Sequence, residues 1–159
     1  MKLIELTQGY FTKVDDADYA SLSNRSWHVH KKRGLLYAHH TSHVNGISVN
    51  ESMHRTLLGV NDSSVQVDHI DGDGLNNQRY NLRKATHSQN QHNRKRRRDG
   101  VSSYKGVGVH SSGLWRARIV VDSKEVHLGY FKQEKDAARA YNEAAKVHFG
   151  EFARINVLS

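Results

Sequence analysis

Five consecutive basic residues, Arg94-Lys95-Arg96-Arg97-Arg98, divide this chain. Such a run repels itself and has no place in an apolar core, so the sequence on either side must fold around separate cores. The remaining charge supports the division. Of 24 Lys+Arg and 16 Asp+Glu, residues 1–93 hold 10 and 9, and residues 99–159 hold 9 and 7. The flanks are thus nearly neutral at +1 and +2, and the block carries the other +5 of the net +8. A length of 159 residues allows one domain or two small ones. Asp99-Gly100-Val101-Ser102-Ser103 follows the block as a polar, turn-rich boundary. The expected organisation is a first module over 1–93, a basic linker over 94–102 and a second module over 103–159.

The composition excludes several chemistries. There is no cysteine, which removes disulfide scaffolds, Cys-bearing zinc sites, iron–sulfur clusters and thiol catalysis. Proline is also absent, so every bend must come from Gly, Asn, Asp or Ser. No apolar run approaches the ~18 residues of a membrane span. The start, Met1-Lys2-Leu3-Ile4-Glu5, lacks the apolar core of a secretion signal. The expectation is a cytoplasmic protein that is not secreted, does not enter membranes and has an anionic partner. The bland alternative for the basic block is a solvated helix end.

Residues 1–49 read as short strands with one helical interruption at Asp15–Leu22. Gly9–Val14 forms a turn into a strand, and Trp27–His30 and Leu35–Ala38 flank a hairpin at Lys31-Lys32-Arg33-Gly34. Asn45-Gly46 is a strong turn dipeptide. Asn50 is expected to cap a helix carrying Met53, Leu57 and Leu58 that ends at Gly59. In the second module, Tyr104–His110, Leu114–Val121 and Glu125–Phe131 are strand-like. In the middle strand Trp115, Ala117 and Ile119 alternate with Arg116, Arg118 and Val120, which gives an apolar face and a face bearing guanidiniums. A helix over Gln133–His148, with Ala137, Ala138, Tyr141, Ala144 and Ala145 on one side and a stop at Gly150, would cover the apolar face.

The segment from Val67 to Asn90 holds the densest polar chemistry. It is not a calcium loop: counted from Asp71, position 6 is Asn76 and position 12 is Leu82, and counted from Asp68, position 3 is Ile70. A zinc hydrolase is equally poor, because His39 and His43 stand four apart with no Glu between them. Histidines 28, 30, 39, 40, 43 and 54 read as strand-surface or locally paired groups. What survives is a carboxylate beside a histidine, a glycine-permitted turn at Gly72 and Gly74, a return strand at Asn81-Leu82-Arg83 and a helix capped by Ser88. Asp68 and Asn90 can offer two hard oxygens to a Mg²⁺-like ion, with the neutral imidazole of His69 beside it to deprotonate water.

Asp68-His69-Ile70-Asp71-Gly72-Asp73, Asn76-Asn77, Asn81-Leu82-Arg83 and Ser88-Gln89-Asn90 together resemble the HNH nuclease motif, in the His-Asn-Asn variant of phage and intron homing endonucleases. The resemblance covers 65–93, and Met53-His54-Arg55 looks like the helix that precedes the motif. It implies a ββα-metal fold and DNA hydrolysis to a 5′-phosphate and a 3′-hydroxyl, in a bacterial or phage-infected cell. It also implies His69 as general base, Asp68 and Asn90 as metal ligands, and Asn81 as the residue that fixes the loop orienting His69. The ion would be a divalent metal, Mg²⁺ or else Mn²⁺, with no small-molecule cofactor.

A second resemblance covers 103–157. Tyr104-Lys105-Gly106-Val107, Trp115–Ile119, Leu128-Gly129-Tyr130-Phe131, Ala137–Tyr141 and Phe149–Asn156 look like the plant AP2/ERF DNA-binding domain, which lays a three-stranded sheet in the major groove. The matching outward positions are Lys105, Gly108, His110, Arg118, Val120, Glu125 and His127, with Arg116 alongside. Gly108 and Glu125 stand where the plant domains use Arg, and His127 replaces a Trp, so base readout must differ. The combined expectation is an α+β chain: a β-rich N-terminal region with a ββα nuclease module, then a three-stranded antiparallel sheet packed on one helix. Double-stranded DNA is the expected partner of a monomer or homodimer, contacted by Arg83, Arg94, Lys95, Arg96, Arg97, Arg98, Lys105, His110, Arg116, Arg118 and His127. The block alone would add roughly −4 to −5 to the salt slope of binding. The competing expectation is a DNA-binding regulator whose HNH module is structural.

Overall fold

The computed structural model describes residues 1–32, 34–94 and 101–158. Arg33, Lys95, Arg96, Arg97 and Arg98 lie outside the described residues, so of the basic block only Arg94 is placed. The chain forms two compact units, Met1–Asn90 and Gln91–Ser159.

The first unit opens with a hairpin of β1 (Lys2–Glu5) and β2 (Phe11–Val14), in which Ile4 opposes Thr12. Helix α1 (Asp16–Ser23) follows, then a meander of β3 (His28–Lys32), β4 (Leu35–Val44) and β5 (Ile47–Ser52). Asn45 and Gly46 both take positive φ, 51° and 78°, which is the two-residue hairpin geometry their sequence demands. Helix α2 (Met53–Leu57) stops at Gly59, whose φ is 60°. Asn50 does not cap it. It sits in β5, where its Oδ1 accepts a 2.6 Å hydrogen bond from Thr41, because a cross-strand hydroxyl offers it a partner before the helix begins. Strands β6 (Gln66–His69) and β7 (Leu82–Ala85) pair antiparallel, and α3 (His87–His92) follows directly, which makes a ββα unit. The core of this unit is apolar: Ile4, Val14, Leu22, Trp27, Ala38, Met53, Leu57, Val67 and Leu82 are all buried.

In the second unit β8 (Val107–Val109), β9 (Trp115–Val121) and β10 (Lys124–Phe131) form one antiparallel sheet with β9 in the middle. Strand β8 is shorter than its apolar pattern suggests, because Gly106 turns the chain at φ 76°. Helix α4 (Glu134–Phe149) packs Tyr141, Ala145 and Phe149 with Ile119, and Gly150 ends it at φ 52°. Small residues permit the close approach. A Cβ on Gly106 would lie 2.0 Å from the Tyr141 ring and 2.6 Å from the Arg118 carbonyl.

Candidate active site

Three long side chains anchor the ββα unit. Arg55 of α2 donates to the carbonyls of Val65 and Asp62, each at 2.7 Å, and so fixes the approach to β6. Arg79 donates as a fork to both oxygens of Asp18 on α1, at 2.8 and 2.7 Å, and to the Leu57 carbonyl at 3.0 Å. Its own N–H, with the Gln78 amide, is accepted by Asp15. These bonds hold Asp15 below its ordinary carboxylate value. A bidentate charged pair fixes direction as well as distance, so the entry to β7 is oriented against α1. No sequence motif singled out Arg79. Its partner lies 61 residues away.

Between the strands runs a polar turn organised by Asn81. This residue lies in a 3₁₀ turn (Arg79–Asn81), not on the return strand expected for it. The turn is favoured because it aims the Asn81 amide inward. Oδ1 accepts from Asp71 N at 3.0 Å, while Nδ2 donates to Asp71 Oδ1 at 3.0 Å and to the Asn76 carbonyl at 2.8 Å. Asn76 donates to the other Asp71 oxygen at 2.7 Å. Burial pushes the Asp71 carboxyl up, but bonds from Asp73 N–H, Asn76 and Asn81 outweigh it and leave it below its ordinary value. Gly74 is required here, because a Cβ would lie 2.3 Å from the Leu36 carbonyl and 2.7 Å from Tyr37.

Asp68 and His69 end β6, both buried. Asp68 faces Arg83 across the ladder, and Arg83 donates to its Oδ2 through Nε at 2.9 Å and Nη2 at 2.7 Å. Arg83, expected to reach DNA, is therefore engaged inside the module. Strand alternation puts Gln66 on the face that Asp68 shares. There Asn90 Nδ2 donates to Gln66 Oε1 at 2.7 Å, and Gln66 is held in turn by His87 at 3.0 Å. With Nδ2 engaged, the end of Asn90 that remains to offer is its amide oxygen. Helix α3 starts from a reciprocal Thr86–Gln89 pair, 2.8 and 3.2 Å, so Thr86 rather than Ser88 is the cap. The sequence Thr-His-Ser-Gln signals this directly.

His69 turns toward Tyr37, His54 and Asn77. Its Nε2 lies 3.2 Å from Asn77 Oδ1, and the His54 ring meets it edge-on at 5.1 Å. Burial pulls the His69 imidazole below its ordinary value, while Asn77 and the carboxylates of Asp71, Asp68 and Asp73 pull the other way. The net shift favours the neutral ring, the form that can take a proton. His54, expected as a strand-surface or locally paired group, lies on α2 with its ring against Tyr37 and His69. Its Nδ1 is buried with no partner among the described residues, and burial lowers it to about 3.

Among the described residues no group of three or more His, Cys, Asp or Glu could hold a metal ion. One carboxylate oxygen from Asp68 and one amide oxygen from Asn90 form a different donor set. Both are hard, and the pair suits an ion such as Mg²⁺ that keeps several of its waters. The chemistry of these two donors fits such an ion.

In the second unit Arg118 and Arg116 flank Glu125, at 2.5 and 3.9 Å. His127 and His110 both pack near Tyr130, with centroids 4.5 and 4.6 Å away. Lys105 does not point outward: its ammonium donates to the His92 carbonyl, and burial, with Arg154 and Arg94 nearby, lowers it to about 8. Arg94 is exposed and donates to Gln91 at 2.7 Å. No helix among the described residues is long and apolar enough to cross a membrane.

Comparison with known proteins adds to this geometry. The HNH endonuclease family profile matches residues 58–92. An uncharacterized HNH endonuclease of Acanthamoeba polyphaga mimivirus is 38% identical over 94 residues, covering 59% of this chain and 48% of that protein. APETALA2-like protein 2 of Oryza sativa is 44% identical over 48 residues, 29% of this chain and 11% of its own. An AP2-like ethylene-responsive transcription factor of Arabidopsis thaliana is 47% identical over 49 residues, 29% and 9% respectively. The chain thus spans about half the length of the viral relative and about a tenth of the plant ones. No solved structure matches it. With the ββα unit inside the matched segment, the chain carries an HNH-type nuclease domain, together with partial similarity to AP2/ERF-type sequences.

Proposed function

We propose that this chain is a metal-dependent DNA endonuclease of the HNH homing type. One observation supports the reading: β6 carries Asp68 and His69, Asn90 of α3 bonds to Gln66 of the same strand, and Asn81 clamps the turn between β6 and β7. Asp68 and Asn90 hold the divalent ion, Mg²⁺ in the first instance and Mn²⁺ as a substitute. The ion, when bound, supplies charge stabilisation to the crowded phosphate and the departing oxygen. His69 takes a proton from the attacking water, which its neutral, buried ring is suited to do. Asn81 keeps the loop that follows His69 in one shape. Phosphate contacts by Arg94–Arg98 provide affinity, and the β8–β10 face with Arg116, Arg118, His110 and His127 provides what base selection there is. A basic linker over 94–102 joining modules 1–93 and 103–159 belongs to the same reading.

The test is nicking or linearisation of supercoiled plasmid. Wild type with Mg²⁺ cuts to 5′-phosphate and 3′-hydroxyl ends, EDTA abolishes cutting, and His69→Ala loses ~10²- to 10⁴-fold in rate while still shifting DNA on a gel. Binding without cutting in any divalent metal would replace the enzyme by a DNA-binding regulator.

A further inference from the structure

A buried chain of hydrogen bonds runs from the first hairpin to His69. Thr12 of β2 and Asn77 of the polar turn are both wholly buried. Thr12 Oγ1 lies 2.8 Å from the Leu75 carbonyl and 2.8 Å from Asn77 Nδ2, and Asn77 Oδ1 lies 3.2 Å from His69 Nε2. The backbone reinforces the contact: Lys13 N donates to Leu75 O and Asn77 N to Lys13 O, each at 2.8 Å.

Counting protons along this chain leaves one arrangement. Two oxygens 2.8 Å apart need a hydrogen between them. The Leu75 carbonyl has none, so the Thr12 hydroxyl donates its single proton there. The Thr12 oxygen can then only accept, which requires the NH₂ end of Asn77 beside it. The carbonyl end of Asn77 must therefore face His69, and an acceptor there calls for a hydrogen on Nε2. A neutral imidazole protonated at Nε2 carries its lone pair on Nδ1.

We propose that Asn77, locked by Thr12, is a positioning residue that fixes His69 in the Nε2–H tautomer and makes Nδ1 the atom that accepts the water proton. The catalytic half of this proposal rests on the reading of His69 as general base. The tautomer half does not. Selecting one nitrogen matters because a base presenting its N–H to the water cannot take a proton, and an imidazole held in the wrong tautomer loses most of its catalytic effect.

The test is made on the full chain without metal by long-range ¹H–¹⁵N correlation of the imidazoles, with His69 assigned by difference from His69→Gln. Wild type shows the Nε2–H pattern for His69. Asn77→Ala yields mixed tautomers and a kcat lowered ~10- to 100-fold with KM for DNA unchanged, and Asn77→Asp, which keeps an acceptor, retains the Nε2–H pattern. Thr12→Val keeps the packing shape, frees the Asn77 amide to rotate and gives mixed tautomers without deleting a group that touches His69. It therefore serves if Asn77→Ala does not fold. An Nδ1–H pattern in wild type overturns the proposal. So does an unchanged tautomer and kcat in both Thr12→Val and whichever Asn77 variant folds. Tautomer control by Asn77 in a chain that cuts no DNA with Mg²⁺ or Mn²⁺ overturns instead the assignment of His69 as base.

Discussion

In the first unit the side chains buried between residues 68 and 81 are polar: Asp68, His69, Asn76, Asn77 and Asn81. In the second, α4 closes on its sheet with Ala137, Ala138, Tyr141, Ala145 and Phe149. The polar turn, which sits beside the first unit's own apolar core, and the helix–sheet core of the second unit hold one conformation with different forces. A hydrogen-bonded interior depends on direction, so it tolerates little change in donor or acceptor type and every member must be satisfied. A close-packed interior depends on volume, so it tolerates little change in size. The first arrangement can aim side chains at a reacting centre. The second can only present a rigid face.

This contrast can be tested unit by unit, because the chain has two tryptophans, Trp27 in the first unit and Trp115 in the second. Trp27→Phe and Trp115→Phe backgrounds make denaturant titrations report one unit each. The largest effect is expected from one added methyl group. Gly106→Ala sets a Cβ against Tyr141 and the Arg118 carbonyl at positive φ, and should cost the Trp115 transition about 4 kcal/mol from combined overpacking and strain. The Trp27 transition should stay put. A loss under about 1 kcal/mol would mean the helix can lift off its sheet cheaply, contrary to a volume-limited core.

A polar truncation should do the reverse. Asn81→Ala strands the Asp71 N–H and the Asn76 carbonyl and should lower the Trp27 transition by about 3 kcal/mol with Trp115 unmoved. Plasmid cleavage should fall with it. Full activity in this variant would separate the turn's shape from the chemistry assigned to it.

Acid gives the smallest effect. The folded unit holds His54 at about 3, below the 6.5 of an unfolded histidine. As pH drops below 6.5 the unfolded chain takes up a proton that the folded one refuses. The stability is therefore whole above pH 6.5 and is lost progressively toward about 3. Between pH 7 and pH 5 the Trp27 midpoint should fall by an amount equivalent to about 1–2 kcal/mol. His54→Leu should remove the His54 share of that fall and leave the share of His39, which burial lowers to about 4. If the slope persists unchanged, its source is another histidine, His39 first.

Much of the fold could be read locally. The Asn45-Gly46 turn, the alternation along β9 and the Ala-rich stripe of α4 are each set by neighbours a few residues away. Strand pairs and caps with competing partners were harder. Asn50 has the composition of a helix cap, yet a threonine across the ladder reaches it first. Ser88 and Thr86 are both good caps, and only the Gln three residues after Thr86 separates them. Among site residues, the Asp-His and Asn spacing marked the motif, while the partners that orient it were invisible. Thr12 meets Asn77 across 65 residues and Arg79 meets Asp18 across 61. Lys105 and Arg83 carry charges that suggest an outer surface, but each stands beside an internal acceptor, the His92 carbonyl and the Asp68 carboxylate. Charge type alone does not distinguish a cation for DNA from one for the fold.

The pairing of Asp68 with Arg83 has a bearing on the life of the unloaded protein. A carboxylate buried at 5% exposure would normally strain an empty site until a cation arrived. Here a compensating charge is built into the opposite strand, so Arg83 offsets part of that cost without a metal. On the proposed reading, the chain can be synthesised, folded and kept in reserve before it has any ion to cut with. Depleting its metal would then disarm it without dismantling it.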